Sequence, residues 1–383
     1  MVGSAGRSSI AAADRNLPAE PVPAMIRADR KLAGLINALR LQVRRAVTLP
    51  SPIFRSTVTS PTILQDTTHL VDPELLSWVA NGPAVTYDPE LVAVVRAAMT
   101  EQVASSDPDA DGLPVSVSEH KIQIASGEPQ ISILVATPKR QSPVRFGILY
   151  VHGGGFIVGS AGLALPFIRQ VVAALDCVVA AVDYRLAPEV SFPVPLEDCY
   201  AALVWFAREA TALGVDPTRI AVMGESSGAG LAAALALVSR DRRGPAIKFQ
   251  SLLCPMLDDR TVTEPDPNPT TGQFIWNRDS NRFAWKCYLG REPGSQGVSH
   301  YAAPARAINL SELPSTHIQV GTLDLFFDEN LEFVRRLARA AVPVAFEVYP
   351  GAYHGFELMY PSEVTKDVQA RRLSRLARAL ACR

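Results

Sequence analysis

Charge of one sign is what this chain lacks most plainly. Its 383 residues carry 37 Lys and Arg against 38 Asp and Glu, a formal net charge of −1 at pH 7. Such a balance builds no field that would steer the protein toward nucleic acid or an anionic membrane. The partner it leaves is a small uncharged or mixed-charge molecule. Cysteine is sparse too: Cys177, Cys199, Cys254, Cys287 and Cys382 are scattered and show no Cys-x-x-Cys spacing. That excludes a disulfide framework, and an odd number of isolated thiols reads as buried free cysteines in a reducing, cytoplasmic setting. Uninterrupted apolar runs are short, Asp176 breaking the region from Val171 to Val182, so no membrane span is expected. No His, Cys and carboxylate cluster has ligand spacing, and neither metal nor organic cofactor is expected.

What the chain does have is a hydrophobic content of 48%, enough for one large α/β domain with an appended cap. Within it stand two glycine motifs, His152-Gly153-Gly154-Gly155 and Gly224-Glu225-Ser226-Ser227-Gly228. By composition a Gly-x-Ser-x-Gly match arises by accident in about one such chain in ten, and His-Gly-Gly-Gly is roughly two orders of magnitude rarer. Their contexts fit as well. The first follows the strand-like Phe146 to Val151; the second joins the apolar Arg219 to Met223 to an Ala- and Leu-rich helix, Ser227 to Val238. Strand, turn, helix is the setting of a nucleophile elbow, with Ser226 Oγ standing above the sheet. A loop without side chains lets backbone N–H groups approach an oxygen that becomes negative in a tetrahedral intermediate.

A serine hydroxyl needs a base to take its proton and a third group to orient that base. Only His300, His317 and His354 lie beyond the elbow. His354 follows the strand-like Val344 to Tyr349 and precedes an amphipathic helix, Glu363 to Ala381, so it occupies a loop after a strand and is the expected base. His317 opens a strand, at its wrong end for catalysis, and His300 lies in a connecting region; both read as structural. Asp324, just past the strand Thr316 to Gly321, is the expected acid. Its rival Asp328 precedes the helical stretch Glu329 to Ala341, where a capping role suits it better.

From about Val144 onward the chain resembles the hormone-sensitive-lipase-like carboxylesterases of the α/β-hydrolase class. The likeness runs through Asp183-Tyr184-Arg185-Leu186-Ala187-Pro188-Glu189, Pro255-Met256-Leu257-Asp258-Asp259-Arg260, Gly321-Thr322-Leu323-Asp324-Leu325 and Tyr353-His354-Gly355-Phe356. It implies Ser226 as nucleophile, Asp324 as acid and His354 as base. It implies also an oxyanion hole from the backbone N–H groups of Gly154, Gly155 and Ser227. The family's elbow commonly reads Gly-Asp-Ser-Ala-Gly; here Glu225 and Ser227 replace Asp and Ala, a change that keeps the backbone donor. Glu225 is given no role.

Candidate strands Ile131 to Ala136, Phe146 to Val151, Cys177 to Asp183, Arg219 to Met223, Phe249 to Cys254, Thr316 to Gly321 and Val344 to Tyr349 alternate with helices. The expected fold is an α/β-hydrolase: a mainly parallel sheet with helices on both faces and a helical cap. Residues 1–118, with a basic helical candidate Ala24 to Val47 and a second, Pro89 to Met99, read as an N-terminal extension and cap. Residues 119–383 read as the catalytic domain. The long connection at about 255–314 reads as a lid, whose Phe274, Trp276, Phe283, Trp285 and Tyr288 are candidates to line the substrate pocket. The expected function is hydrolysis of short to medium acyl esters through an acyl-enzyme. The same triad also serves an acyltransferase or a lactonising enzyme, and a retired pocket would make a ligand receptor, although that class lacks the histidine kept here as His354. Oligomeric state is left open.

Overall fold

The computed structural model describes residues 66–79, 86–107, 111–124, 129–140, 144–359 and 361–381; the helical candidate Ala24 to Val47 and Cys382 lie outside them. Eight strands form one sheet: β1 Val115–Gln123, β2 Gln130–Pro138, β3 Arg145–Val151, β4 Val178–Asp183, β5 Val215–Glu225, β6 Phe249–Leu253, β7 Ser315–Gly321 and β8 Val344–Tyr349. Their order is β1-β2-β4-β3-β5-β6-β7-β8. The pairs β1/β2 and β2/β4 are antiparallel and every other pair is parallel.

Both faces of the sheet are covered, and the strands show it residue by residue. In β3, Leu149 and Val151 join one core while Phe146, Ile148 and Tyr150 join the other; in β5, Ile220 and Val222 oppose Ala221 and Met223. That is the period-two alternation of a strand buried on both sides, which is why these segments read as continuous apolar runs. Helices α3 (Val194–Glu209), α4 (Ser226–Asp241) and α6 (Phe327–Arg339) pack on the first face, α2 (Ala161–Leu175) and α7 (Glu363–Ala381) on the second. Helix α1 (Pro89–Ser105) starts at Asp88, whose carboxylate accepts from Leu91 N, a cap worth about 1 kcal/mol. Arg96 of α1 then ties this segment to the carbonyls of Ile157 and Ala187 and to Glu189. In the stretch after β6, α5 (Arg278–Leu289) is capped by Asn277 and ended by Gly290 in the left-handed region.

Three expectations need correction. Strand β1 was not among the candidates: its alternating Val115-Ser116-Val117-Ser118-Glu119 leaves it half exposed at the sheet edge. Strand β5 is longer than Arg219 to Met223 and takes in Glu225. Helix α6 begins at Phe327, so Asp328 lies inside its first turn instead of capping it; Phe326 holds the cap position with no side-chain bond. Asp328 there still favours the helix dipole. The four described cysteines are free, as expected, but Cys287 is half-buried where Cys177, Cys199 and Cys254 are buried. Among the described residues no helix is long and apolar enough to cross a membrane.

Candidate active site

The site forms where β3, β5, β7 and β8 end. At the end of β5 the chain reverses into α4 through Ser226, which itself takes the left-handed conformation at φ 53°, at a cost of roughly 1–2 kcal/mol for a non-glycine residue. The glycines beside it serve space, not φ. A Cβ on Gly228 would lie 2.2 Å from Val151 O, and one on Gly224 would lie 2.6 Å from Gly228 C. Only bare backbone lets the elbow nest against the end of β3.

His354 closes on Ser226 from the β8 side. Its Nε2 lies 2.9 Å from Ser226 Oγ and its Nδ1 2.9 Å from Asp324 Oδ2. The pattern requires Nδ1–H to donate to Asp324, leaving Nε2 free to take the serine proton. Asp324 is fully buried, with Oδ1 accepting from Phe326 N at 2.9 Å. Burial of His354 opposes its charge, but the charge of Asp324, its hydrogen bond and Glu357 outweigh that and raise its pKa above the usual 6.5. Glu357, one short turn further on, is held protonated up to about 7 by burial, and its Oε2 is buried without a hydrogen-bond partner.

Across from His354 lies the glycine loop. Gly153 abuts the elbow, since a Cβ there would come 3.0 Å from Glu225 O and 3.4 Å from Ser226 Cβ. Gly154 takes φ 119° and Gly155 φ 60°, conformations that favour glycine. Among the described residues the N–H groups of Gly154 and Gly155 donate to nothing, and neither does that of Ser227 in the first turn of α4, where helix N–H groups lack intrahelical acceptors. These three free donors are the expected oxyanion set. His152 is turned away, stacked on Tyr184 at 4.2 Å with Tyr184 Oη donating to its carbonyl.

The five aromatics of the connection after β6 go to different places. Trp276 covers the site: a Cβ on Gly155 would meet its Cη2 at 2.4 Å, and its ring lies 6.4 Å from that of His354. Its indole N–H is fixed by Asn281 Oδ1 at 3.1 Å. Phe274 packs on Tyr353. Trp285 and Tyr288 are fully buried against Phe156, the residue after Gly155, and Phe283 is partly buried on the same core. Of the other histidines, His317 is buried 3.2 Å from Glu347 and the His300 ring lies tilted against that of Tyr301.

Atoms of metal-ligand type on Cys254, Asp324 and His354 lie within 4.8 Å of one another. Both His354 nitrogens are already engaged, and burial, with the charge of Asp324, pushes the Cys254 thiol well above its usual pKa. The hydrogen bonds of His354 to Asp324 and Ser226 are what tie this cluster together.

Sequence reasoning missed Arg372 and Tyr150, which hold Glu225 from the far side of the sheet. Nothing in an amphipathic, Arg-rich helix marks one arginine as buried.

Comparison with known proteins identifies the family and the fold. A family described as the alpha/beta hydrolase fold matches residues 148–358. Carboxylesterase NlhH of Mycobacterium tuberculosis is 30% identical over 337 residues, 84% of this chain and 99% of that protein. Esterase LipI of the same organism is 36% identical over 213 residues, 55% of this chain and 65% of that protein, so the match spans just under two thirds of it. A solved structure described as a bacterial heroin esterase has a TM-score of 0.75 at 36% identity, over 82% of this chain and 99% of that one. With the family match covering more than half of its length, the chain belongs to the α/β-hydrolase-fold family, among the hormone-sensitive-lipase-like carboxylesterases.

Proposed function

We propose that the protein is a serine carboxylic ester hydrolase acting on short to medium acyl esters through Ser226, His354 and Asp324. The observation that carries this reading is the unbroken relay of two 2.9 Å hydrogen bonds from Ser226 Oγ through His354 to Asp324, set against three free backbone N–H groups.

In this reading Ser226 Oγ attacks the ester carbonyl while His354 Nε2 takes its proton. The carbonyl oxygen becomes an oxyanion held by the N–H groups of Gly154, Gly155 and Ser227. Collapse of the intermediate breaks the C–O bond, and His354 gives the proton to the departing alcohol. Water then repeats the sequence on the acyl-serine, with His354 again as base, and releases the acid. Asp324 holds the ring in place and favours the imidazolium that forms in each step. Trp276, lying on Gly155, bounds the oxyanion side of the pocket and favours small acyl groups. Residues 1–118 would serve as extension and cap, with the lid of about 255–314 closing the site.

A fluorophosphonate ester, which traps an activated serine as a stable phosphonate, tests the assignment. Intact-mass and peptide analysis should find one adduct per chain, on Ser226, with activity lost in step. An adduct elsewhere accompanying the loss, or none in an enzyme that is inactivated, would overturn it.

A further inference from the structure

Ser226 holds a backbone conformation that L-residues avoid, and such a conformation persists only where the surroundings over-determine it. Steric fit around Gly224 and Gly228 is one constraint. A second comes from a helix far along the chain. Arg372 of α7 is 1% exposed and spreads its guanidinium over three acceptors. Nη1 donates to Glu225 Oε1 at 2.5 Å, Nη2 to Gly224 O at 2.9 Å and Nε to Ser251 Oγ at 3.3 Å. The other carboxylate oxygen of Glu225 accepts from Tyr150 Oη at 2.5 Å, a phenol that burial and the charge of Glu225 keep protonated. The guanidinium also lies 5.5 Å above the ring of Phe167.

We infer that Glu225 and Arg372 are positioning residues, an ion pair under the sheet that fixes the nucleophile elbow through its own carbonyl and carboxylate. The inference rests on the reading of Ser226 as nucleophile. Its logic is local. The two residues immediately before Ser226 are the ones held, one by its backbone and one by its side chain, so the 224–225 peptide cannot rotate. Ser226 then has a fixed starting direction, and with it both Oγ, which must meet His354, and the N–H of Ser227, which must meet the oxyanion. Arginine suits the task because its planar fork serves two acceptors on adjacent residues at once, whereas a lysine offers a single point charge. Glu225, with both oxygens occupied on the side of β3 and α7, cannot turn to the substrate.

The test compares Glu225→Gln, Arg372→Lys, Arg372→Met and the double variant Glu225→Gln/Arg372→Met in the full chain. Each is measured for thermal midpoint, for kcat and KM on p-nitrophenyl acetate, and for the rate of phosphonylation of Ser226. A misplacement of the order of an ångström costs about a hundredfold in rate. Folded Glu225→Gln should therefore lose about tenfold to a hundredfold in kcat and in phosphonylation rate, with KM within about threefold of wild type. Arg372→Lys should retain more kcat than Arg372→Met. The double variant should lose far less than the product of the single losses, because the pair acts as a unit. Wild-type kcat in folded Glu225→Gln and Arg372→Lys would overturn the inference. So would losses that vanish well below each thermal midpoint, or failure of every variant to fold, either of which makes the pair purely structural. Ser226→Ala run beside them separates the two questions: if it stays active the nucleophile reading fails, and if it is inert while the pair variants are normal only this inference fails.

Discussion

His354 can act as a base only when neutral, and its two neighbours decide where that happens. Asp324 and Glu357 raise its pKa above 6.5 against the opposing effect of burial. As pH falls through the raised value the imidazole is protonated and activity is lost, so the acid limb of kcat/KM should be displaced upward from the usual histidine value of 6.5. Asp324→Asn removes the largest raising influence; the limb should move to lower pH, and kcat should fall by about 10⁴-fold as the tautomer is no longer held. A profile from pH 5 to 9 checks both, and a limb that stays in place would contradict the assignment of Asp324. At this scale the turn that carries Ser226 was legible because backbone geometry writes itself into sequence, since only glycine fits where Gly228 meets Val151 O; His354 was picked out by its place on a loop after a strand. Arg372 was illegible because an arginine on an amphipathic helix looks the same whether it faces water or Glu225. At the elbow the left-handed residue is Ser226 itself, and the glycines beside it serve space.

At the scale of elements, strands buried on both faces, such as β3, β4 and β6, announce themselves as apolar runs, and β8, only partly buried, was readable from its β-branched and aromatic residues instead. β1 was not, because an edge strand can alternate Ser, Glu and His with Val and still pair along its length with β2. α6 starts two residues earlier than expected, at Phe327, and the N–H of Phe326 before it is taken up by Asp324 Oδ1. In the connection between β6 and β7, composition marked aromatics without saying where each would go. Trp285 and Tyr288 share one face of α5 and fall on Phe156, bracing the glycine loop, while Trp276 before the helix falls over the site. Trp276→Ala should therefore move the preference along a p-nitrophenyl ester series toward longer acyl chains, lowering kcat/KM for acetate and raising it for hexanoate and octanoate. An unchanged chain-length profile in the folded variant would remove Trp276 from the pocket wall.

For the whole molecule, one continuous sheet carries the site on the ends of β3, β5, β7 and β8; two cores cover its faces, and a third cluster, with Leu323, Tyr349, Ala352 and Tyr353, packs around the ends of β7 and β8. No disulfide contributes among the described residues, where Cys177, Cys199 and Cys254 are buried as free thiols. In the native protein these three should resist a thiol reagent and react only on unfolding, as peptide mapping would read; a mass change on reduction that involves any of them would contradict the fold as described. The near-zero net charge is consistent with a substrate that needs no electrostatic steering. The central claim is the ester hydrolase with Ser226 as nucleophile, and the most direct measurement is hydrolysis of p-nitrophenyl esters from acetate to palmitate by the wild type and by Ser226→Ala. The account predicts activity peaking at short chains and a loss of roughly three to six orders of magnitude in kcat with the alanine. Substantial turnover by a folded Ser226→Ala, or none by a folded wild type on any ester of the series, would contradict it.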